Sequence, residues 1–154
     1  MIQVRPAQLS DISILMSFAS HATTSANWTE QQYVATFSNP QHHVCLVVED
    51  ESQVVGFVVA RMLGHEWEIE NIAVAGRARR RGLATRLMGE LMERARARGA
   101  QEIFLEVRES NQAACALYEK WAFELAGRRK SYYKNPQEDA LVYRFSFPQL
   151  SKNH

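Results

Sequence analysis

A segment in the middle of the chain joins a strand pattern to a helix pattern through a loop rich in glycine and arginine. Glu66–Val74 alternates polar and apolar residues and predicts a strand, whereas Leu83–Arg98 repeats apolar residues at helical spacing until Gly99. The first N–H groups of such a helix have no partners within it, and the helix dipole adds positive charge there. The segment therefore predicts an α/β domain with a site for a phosphate or pyrophosphate.

The composition of the loop suits such a site. Gly82 and Ala84 have little or no side chain, so a ligand could approach the backbone closely. Only two glutamates oppose the eight arginines of this region, which are Arg77, Arg79, Arg80, Arg81, Arg86, Arg94, Arg96 and Arg98. A solvated basic loop is the alternative. The loop is neither a Walker loop, since no Lys-Ser/Thr follows the glycine, nor a G-x-G-x-x-G dinucleotide motif.

Hydrophobic periodicity predicts further elements on both sides of this segment. Ser10 is expected to cap the first helix, and Thr29 with Gln32 forms a capping-box pattern that opens the second. The predicted order is strand 2–5, helices 10–19 and 29–37, strands 44–49, 54–62 and 66–74, helix 83–98, strand 102–107, helix 111–121, and strands 123–133 and 141–147 around a polar turn at 134–139. We expect one domain over residues 1–147 and a C-terminal tail at 148–154.

Composition argues against several classes of protein. With 154 residues, 46% of them apolar, and a formal net charge of +1, the chain lacks the basic balance of a nucleic-acid binder. It has no apolar run of membrane-spanning length and no signal-peptide pattern, so we expect a cytoplasmic protein that does not contact a membrane. The two cysteines and five histidines show no ligand spacing, so no metal site is expected.

The loop and its flanking segments resemble the GNAT superfamily of N-acetyltransferases, and within it the RimI group of ribosomal-protein alanine acetyltransferases. Arg79, Gly82 and Ala84 match the fixed positions of the GNAT motif Q/R-x-x-G-x-G/A. Segments 27–30 (NWTE), 68–74 (EIENIAV), 105–119 (LEVRESNQAACALYE), 128–133 (RRKSYY) and 138–142 (EDALV) resemble RimI sequences. The departures are AG for Asp-Pro at 75–76, Ala84 for the commoner glycine, WAF for Gly-Phe at 121–123, and Glu70 for an apolar residue.

This resemblance implies a mixed α/β (α+β) fold, the GNAT fold, in which about four helices flank a central, mostly antiparallel seven-stranded sheet. It also implies acetyl-CoA as co-substrate, with its pyrophosphate on the backbone of the loop. The cofactor contacts expected from the resemblance are Ile72, Ala73, Val74, Arg79, Arg80, Arg81, Gly82, Leu83, Ala84, Thr85, Asn111 and Tyr118. By itself Asn111 would be a helix cap.

Acetyl transfer to an amine requires a base for the ammonium proton, a polarised thioester carbonyl and an acid for the leaving thiolate. The resemblance implies Glu106 as general base and Tyr118 as general acid, with Glu68 as a rival base. Each role has a structural alternative, because a strand-end glutamate is usually solvated or paired, for example with Arg108, and a helical tyrosine is usually a core aromatic. Cys115 as a covalent nucleophile is a weaker alternative, since buried helical cysteines are commonly inert.

The acceptor implied by the resemblance is a basic protein N-terminus, namely the N-terminal alanine of a small-subunit ribosomal protein, acetylated by direct transfer in a ternary complex. Glu66, Glu68 and Glu70 alternate on one strand, which predicts either a solvent face or an acidic rim that attracts a cationic amine. The residues expected on the acceptor side are Trp28, Glu68, Glu70, Tyr132 and Tyr133. Simple strand alternation would place the two tyrosines on opposite faces.

Three other functions fit the same residues. The first is acetylation of a small amine, such as a polyamine or an amino acid, and the second is a non-catalytic acyl-CoA-binding module. The third and weakest is nucleic-acid binding through the arginines of residues 77–98. We expect a monomer or a weak dimer that binds no nucleic acid directly.

Overall fold

The computed structural model describes residues 1–19, 28–78, 82–134 and 136–148. The strands and helices, in chain order, are β1 (Ile2–Pro6), α1 (Ile12–Ala19), α2 (Glu30–Phe37), β2 (His43–Asp50), β3 (Gln53–Leu63), β4 (Glu66–Val74), α3 (Leu83–Ala97), β5 (Glu102–Arg108), α4 (Gln112–Lys120), β6 (Glu124–Tyr133) and β7 (Glu138–Ser146). Short 3-10 turns precede α1 and α3. This order is the predicted one. In the described ranges, no helix has the length and apolar character needed to span a membrane.

The strands form a single sheet in the order β1-β2-β3-β4-β5-β7-β6. Neighbouring strands run antiparallel, except for the parallel pair β4 and β5. The prediction of a mixed, mostly antiparallel sheet of seven strands with four flanking helices is therefore confirmed.

The parallel pair is short, and this opens the sheet. Paired positions join Glu66–Glu68 of β4 to Glu102–Phe104 of β5, and none follows in the carboxyl-terminal halves of the two strands. Beyond this point β4 continues along β3, while β5 continues along β7. The two halves of the sheet therefore diverge. Open α/β sheets bind ligands in crevices of this kind, at the carboxyl ends of their strands.

Helices bury both faces of the sheet. On one face α3 and α4 cover a core that includes Trp67, Leu91 and Ile103. On the other face α1 and α2 cover a smaller core around Tyr33 and Phe57. Full burial of a large apolar side chain contributes about 1.5–3 kcal/mol. The predicted apolar face of α3 is the buried one, with Leu83, Leu87, Met88, Leu91 and Ala95 inside and Met92 partly buried.

The two predicted helix caps differ in outcome. The capping box of α2 is confirmed, since the Thr29 N–H donates to Gln32 Oε1 at 2.7 Å and the Gln32 N–H donates to Thr29 Oγ1 at 3.2 Å. The prediction that Ser10 caps the first helix is wrong, because Ser10 lies inside a 3-10 turn whose cap residue is Gln8. The carboxylate of Asp11 fixes this turn by accepting hydrogen bonds from the Gln8 N–H and from the guanidinium of Arg5.

The last hairpin also differs from its prediction. Residues 138 and 139 were expected in a polar turn, but β7 begins at Glu138, which pairs with Tyr133 of β6. Charge partners explain why these acidic residues tolerate a strand. Glu138 binds Arg108 at 3.1 Å, and Asp139 binds Arg128 at 2.8 Å.

Bulges interrupt the alternation of side chains in β3, β4 and β6, and two of them, in β4 and in the second half of β6, concern the candidate site. In β4, Asn71 and Ile69 oppose consecutive residues of β3, so Glu70 has no opposite residue. Between β6 and β7 the register shifts from Arg129 to Tyr133, and Ser131 within this stretch has a φ of 52°. A bulge redirects the side chains beside it. Both bulges adjoin residues that the sequence marks as functional.

Candidate active site

The predicted anion site lies where α3 begins. Gly82 is the N-cap residue of this helix, with a left-handed φ of 74° and no side chain to satisfy the first N–H groups. Among the described residues, nothing lies within 4 Å of the position that a Cβ at Gly82 would occupy. At the start of α3, Gly82 and Thr85 are exposed and Leu83 is buried. The other predicted contacts of this loop, Arg79, Arg80 and Arg81, lie outside the described residues.

Strand β4, which leads into this loop, packs against a core on each face of the sheet. Ile72 and Ala73 are buried in the two cores on opposite faces of the sheet. Val74 pairs with Gly56, where a Cβ would stand 3.1 Å from the carbonyl oxygen of Ala73. The side chains of Ile72 and Ala73 are thus turned away from solvent. Any contact between these two residues and a ligand in the opening would use their backbone.

Helix α4 borders the same region and is tied to α3. Asn111 caps α4 by accepting a hydrogen bond from the Ala114 N–H at 3.1 Å, which confirms its role as a cap. At the other end of α4, Trp121 Nε1 donates to Thr85 Oγ1 at 3.1 Å. In the sequence, Trp121 ends the predicted helix 111–121 and departs from the family pattern. Nothing in the sequence predicts this bond, because its two residues lie 36 positions apart.

Glutamates of β4 and β5 come close together beside the opening. Burial raises the pKa of Glu68, and the charges of Glu70 and Glu106 raise it further, against the opposing charges of Arg61 and Arg129. A carboxylate whose pKa is raised in this way holds a proton more readily. Glu68 and Glu106, the two predicted candidates for the base, therefore lie in one electrostatic cluster.

Glu106 has a buried oxygen with an unusual environment. Its Oε2 atom is sealed from solvent and has no hydrogen-bond partner among the described residues. The Nε atom of Arg129 lies 3.2 Å from Oε2, close enough for an ion pair but not oriented as a hydrogen-bond donor. The suggested pairing of Glu106 with Arg108 is wrong, because Arg108 pairs with Glu138 instead. Glu106 thus retains capacity to accept a hydrogen bond.

The predicted acidic face of β4 is not bare. Glu66 pairs with Arg144 at 2.6 Å, and the bulged Glu70 lies 3.3 Å from His43 Nε2, an ion pair only when that histidine is protonated. The carboxylate of Glu70 also lines a cavity of about 540 Å³ between α2 and the sheet, together with Trp28 and Arg61. The structure therefore brings together Trp28 and Glu70, two of the predicted acceptor-side residues.

Tyr118 is a buried phenol whose pKa is raised. Burial is the main cause that raises its pKa, and the neighbouring Cys115 and Tyr133 add to the effect. Its ring packs against Trp121, Phe123 and Tyr143 at centroid distances of 5.9, 6.0 and 6.2 Å. Tyr118 is thus a core aromatic, as the alternative held. This position does not conflict with a role for its hydroxyl as a proton donor.

Tyr132 and Tyr133 lie together rather than apart. The rings meet edge to face at 5.2 Å, so the expectation that they point to opposite faces is wrong. The bulge around Ser131 breaks the alternation on which that expectation depended. Burial raises the pKa of Tyr133 to about 12, and Glu106 is the first of the charges that add to this rise. Tyr133 also raises the pKa of Tyr118, so it interacts with both the predicted base and the predicted acid.

The two cysteines and the possible metal ligands of the described residues form no second site. Cys115 is buried in the core with Tyr118 and Tyr143. Burial, followed by the charge of Glu70, raises the pKa of Cys45 to about 12, so its thiol is protonated and unreactive at neutral pH. Within the described residues, no group of three or more histidine, cysteine or acidic side chains could hold a metal ion.

Comparisons with known proteins agree with this geometry. The sequence profile of the family described as "Acetyltransferase (GNAT) family" matches residues 13–123. A [Ribosomal protein bS18]-alanine N-acetyltransferase from Salmonella typhimurium is 34% identical over 118 residues, which are 75% of this chain and 78% of that protein. The enzyme of the same name from Escherichia coli is 30% identical over 117 residues, with the same coverage of both chains.

Solved structures show the same fold. The crystal structure of the ribosomal-protein-S18-alanine N-acetyltransferase from Escherichia coli has a TM-score of 0.89 at 25% identity and covers 100% of this chain and 99% of its own. A PaiA N-acetyltransferase from Thermoplasma acidophilum, crystallised with coenzyme A, has a TM-score of 0.80 at 13% identity over 96% of this chain and 99% of its own, and this likeness shows the fold alone. This chain belongs to the GNAT family, the acetyl-CoA-dependent N-acetyltransferases.

Proposed function

We propose that the protein acetylates the N-terminal α-amine of another protein, and that its acceptor is the N-terminal alanine of a ribosomal protein. The names of the relatives from Salmonella typhimurium and Escherichia coli support this acceptor. The observation that carries the proposal is the buried Oε2 atom of Glu106, which has no hydrogen-bond partner among the described residues and lies beside the opening in the sheet. A proton acceptor in that position suits an incoming ammonium group.

Glu106 acts as the general base in this proposal. An α-ammonium group must lose a proton before its nitrogen can attack, and the acceptor of that proton must be within hydrogen-bond reach. Glu106 Oε2 supplies an unused lone pair at the site. Glu68 shares the electrostatic cluster and its raised pKa also suits proton uptake, so it is the second candidate.

Tyr118 acts as the general acid. Its hydroxyl, like that of any tyrosine, is protonated at neutral pH, and burial raises its pKa further. The sulfur would take that proton as its bond to the acetyl carbon breaks, and Tyr133 lies near both Tyr118 and Glu106. The two proton transfers then take place on different residues while both substrates are bound. This supports direct transfer rather than a covalent intermediate on the buried Cys115.

Acetyl-CoA fits the anion site at the start of α3. When bound, it supplies the acetyl thioester for the transfer. The uncapped N–H groups behind Gly82 would hold its pyrophosphate, and the open space at Gly82 permits the approach. Ala84, Thr85 and Asn111 would also contact the cofactor, as the sequence predicts. The backbone of β4 from Ile72 to Val74 would border the arm that enters the opening.

Acetyl-CoA consumption with three amines tests the proposal. The first is a basic hexapeptide that begins with alanine, the second is the same peptide with an acetylated N-terminus, and the third is spermidine. We expect turnover of the free alanine peptide alone. The spermidine arm is included because the cavity between α2 and the sheet, which Trp28 and Glu70 line, could hold a small cation.

The other outcomes separate the alternatives. Turnover of spermidine alone would leave the protein an acetyltransferase but would overturn the ribosomal acceptor. Binding of CoA without turnover of any amine would instead favour the non-catalytic acyl-CoA-binding module. Strongly salt-dependent duplex binding that CoA displaces would favour the nucleic-acid alternative.

A further inference from the structure

We infer that Arg129 occupies the place of the acceptor's ammonium group in the free enzyme, and that an acceptor binds by displacing it. Arg129 is thereby a specificity-determining residue, because only a group that can replace its cation on Glu106 gains access to the base. This inference rests on the proposed function, since it identifies Arg129 as the group with which the acceptor's ammonium competes for Glu106. It starts from the ion pair between Arg129 Nε and Glu106 Oε2 at 3.2 Å.

Access to the base is blocked in the free enzyme. The Oε2 atom of Glu106 has no contact with solvent, although the side chain of Arg129 beside it is 58% exposed. An ammonium must come within about 2.6–3.2 Å of the carboxylate oxygen to transfer its proton. The guanidinium of Arg129 already stands at that distance. The incoming amine and Arg129 therefore compete for one position.

Arg129 is weakly held in comparison with the arginines around it. Arg108 binds Glu138, two backbone carbonyl oxygens and the ring of Tyr133, and Arg128 binds both Glu109 and Asp139. Arg144 binds both Glu66 and Glu102. Among the described residues, Arg129 makes one ion pair, with Glu106 and without a well-oriented hydrogen bond, and contacts the ring of Tyr132 at 5.1 Å. Its charge also acts on Glu68. Its guanidinium is therefore the easiest of the four to displace.

The backbone around Arg129 also permits the change. Paired positions between β6 and β7 stop at Arg129 and resume at Tyr133, so residues 130–132 lie outside the ladder. Movement of this stretch breaks the hydrogen bonds of Ser131 with Asp139 and Gln137 but no paired position of the ladder. The ring of Tyr132, which contacts the guanidinium of Arg129, lies in the same stretch. The same movement would uncover the side of Glu106 that faces the acceptor.

Steady-state kinetics of Arg129→Gln test the inference, with Arg128→Gln as the matched control. Arg128 is the preceding residue and an exposed, ion-paired arginine, but its partners are Glu109 and Asp139. We expect Arg129→Gln to lower the KM of the free alanine peptide about two- to fivefold, the range of an exposed ion pair. Its kcat and its KM for acetyl-CoA should not change. Arg129→Lys retains a cation and should leave the peptide KM near the wild-type value.

A second ligand separates competition for Glu106 from a general change of the surface. The N-acetylated peptide has no ammonium group, so its inhibition constant should be the same in wild type, Arg129→Gln and Arg128→Gln. A higher peptide KM or a lower kcat in Arg129→Gln would overturn the inference, as would an equal effect on the acetylated peptide. If spermidine is the accepted amine, the same KM ratio is expected for it, and only the ribosomal acceptor is overturned. Failure of every amine with both the wild type and Arg129→Gln would overturn both proposals.

Discussion

Glu106 and Tyr118 lie on opposite faces of the sheet. The neighbours of Glu106 in β5, Leu105 and Val107, point into the core beneath α3 and α4, so Glu106 points to the other face. Tyr118 belongs to the core beneath α3 and α4. Reactants in the opening between β4 and β5 can therefore give a proton to Glu106 on one face and receive a proton from Tyr118 on the other. This separation explains how one site can contain both an acid and a base.

At the residue scale, we predict that Glu106→Gln lowers kcat about 10²–10⁴-fold, since glutamine keeps the shape of the side chain but cannot take a proton. Tyr118→Phe should lower kcat as well, by removal of the proton donor. Glu68→Gln should lower kcat less than about tenfold if Glu106 is the base. Rates of acetyl-CoA consumption at saturating peptide measure all three.

Two substitutions serve as controls for this prediction. Glu102 lies on the same strand and the same face as Glu106 but pairs with Arg144. Tyr143 packs against Tyr118, but its hydroxyl donates a hydrogen bond to Glu119. Glu102→Gln and Tyr143→Phe should keep wild-type kcat. A large loss in Glu68→Gln with a small one in Glu106→Gln would reverse the assignment of the base.

At the scale of elements, the start of α3 is the feature on which cofactor binding depends. Its N-cap residue, Gly82, has a left-handed backbone and supplies no side-chain cap. A protein that needed only a stable helix would place serine, threonine or aspartate there. The uncapped glycine therefore reduces helix stability and leaves the N–H groups available to an anion.

We predict that Gly82→Leu weakens CoA binding roughly tenfold or more, because a side chain would enter the space through which a pyrophosphate reaches the N–H groups. Gly64→Leu is the control. Gly64 has a similar φ of 65° and equally open surroundings, but it lies in the turn between β3 and β4. Each substitution should cost about 1–2 kcal/mol of stability from backbone strain. Calorimetric titration with CoA should distinguish the two, and equal affinities would refute the role of Gly82.

The elements themselves were predictable, but their irregularities were not. Periodicity gave β4 and α3 almost to the residue, since burial on one face leaves a regular pattern in the sequence. The bulges at Glu70 and near Ser131 leave no such pattern, because each depends on the register with a neighbouring strand. The bulge near Ser131 also places Tyr132 beside Arg129. For this reason the sequence indicated the glutamates of the site but not the cation that covers one of them.

At the scale of the whole molecule, the opening between β4 and β5 divides the sheet into two parts. One part consists of β1 to β4, and the other consists of β5, β7 and β6. The links between these parts include three paired positions, the ion pair of Glu66 with Arg144, the packing of α3 and α4, and the bond from Trp121 to Thr85. A ligand that fills the opening would contact both parts. Cofactor binding should therefore stabilise the entire molecule rather than one loop.

We predict that CoA at 100 times its dissociation constant raises the free energy of unfolding by about 2.7 kcal/mol, which corresponds to a Tm increase of about 5–10 °C for a chain of this size. Fluorine NMR of the fluorotryptophan-labelled protein resolves where this stabilisation acts. Trp28 packs against the core beneath α1 and α2, Trp67 lies in the core beneath α3 and α4, and Trp121 lies at the end of α4. The thermal unfolding midpoints reported by the three signals should rise by the same amount when CoA is present.

In Gly82→Leu the three signals should again report one common unfolding midpoint. At the CoA concentration that saturates the wild type, this midpoint should not increase. Its strain lowers the midpoint in the absence of ligand, so the comparison is between each variant with and without CoA. If the signal of Trp28 kept its midpoint while those of Trp67 and Trp121 moved, the two cores would unfold separately. The cofactor would then stabilise only the part of the sheet that α3 and α4 cover, and the opening could not be the feature that couples the acceptor side to the cofactor side.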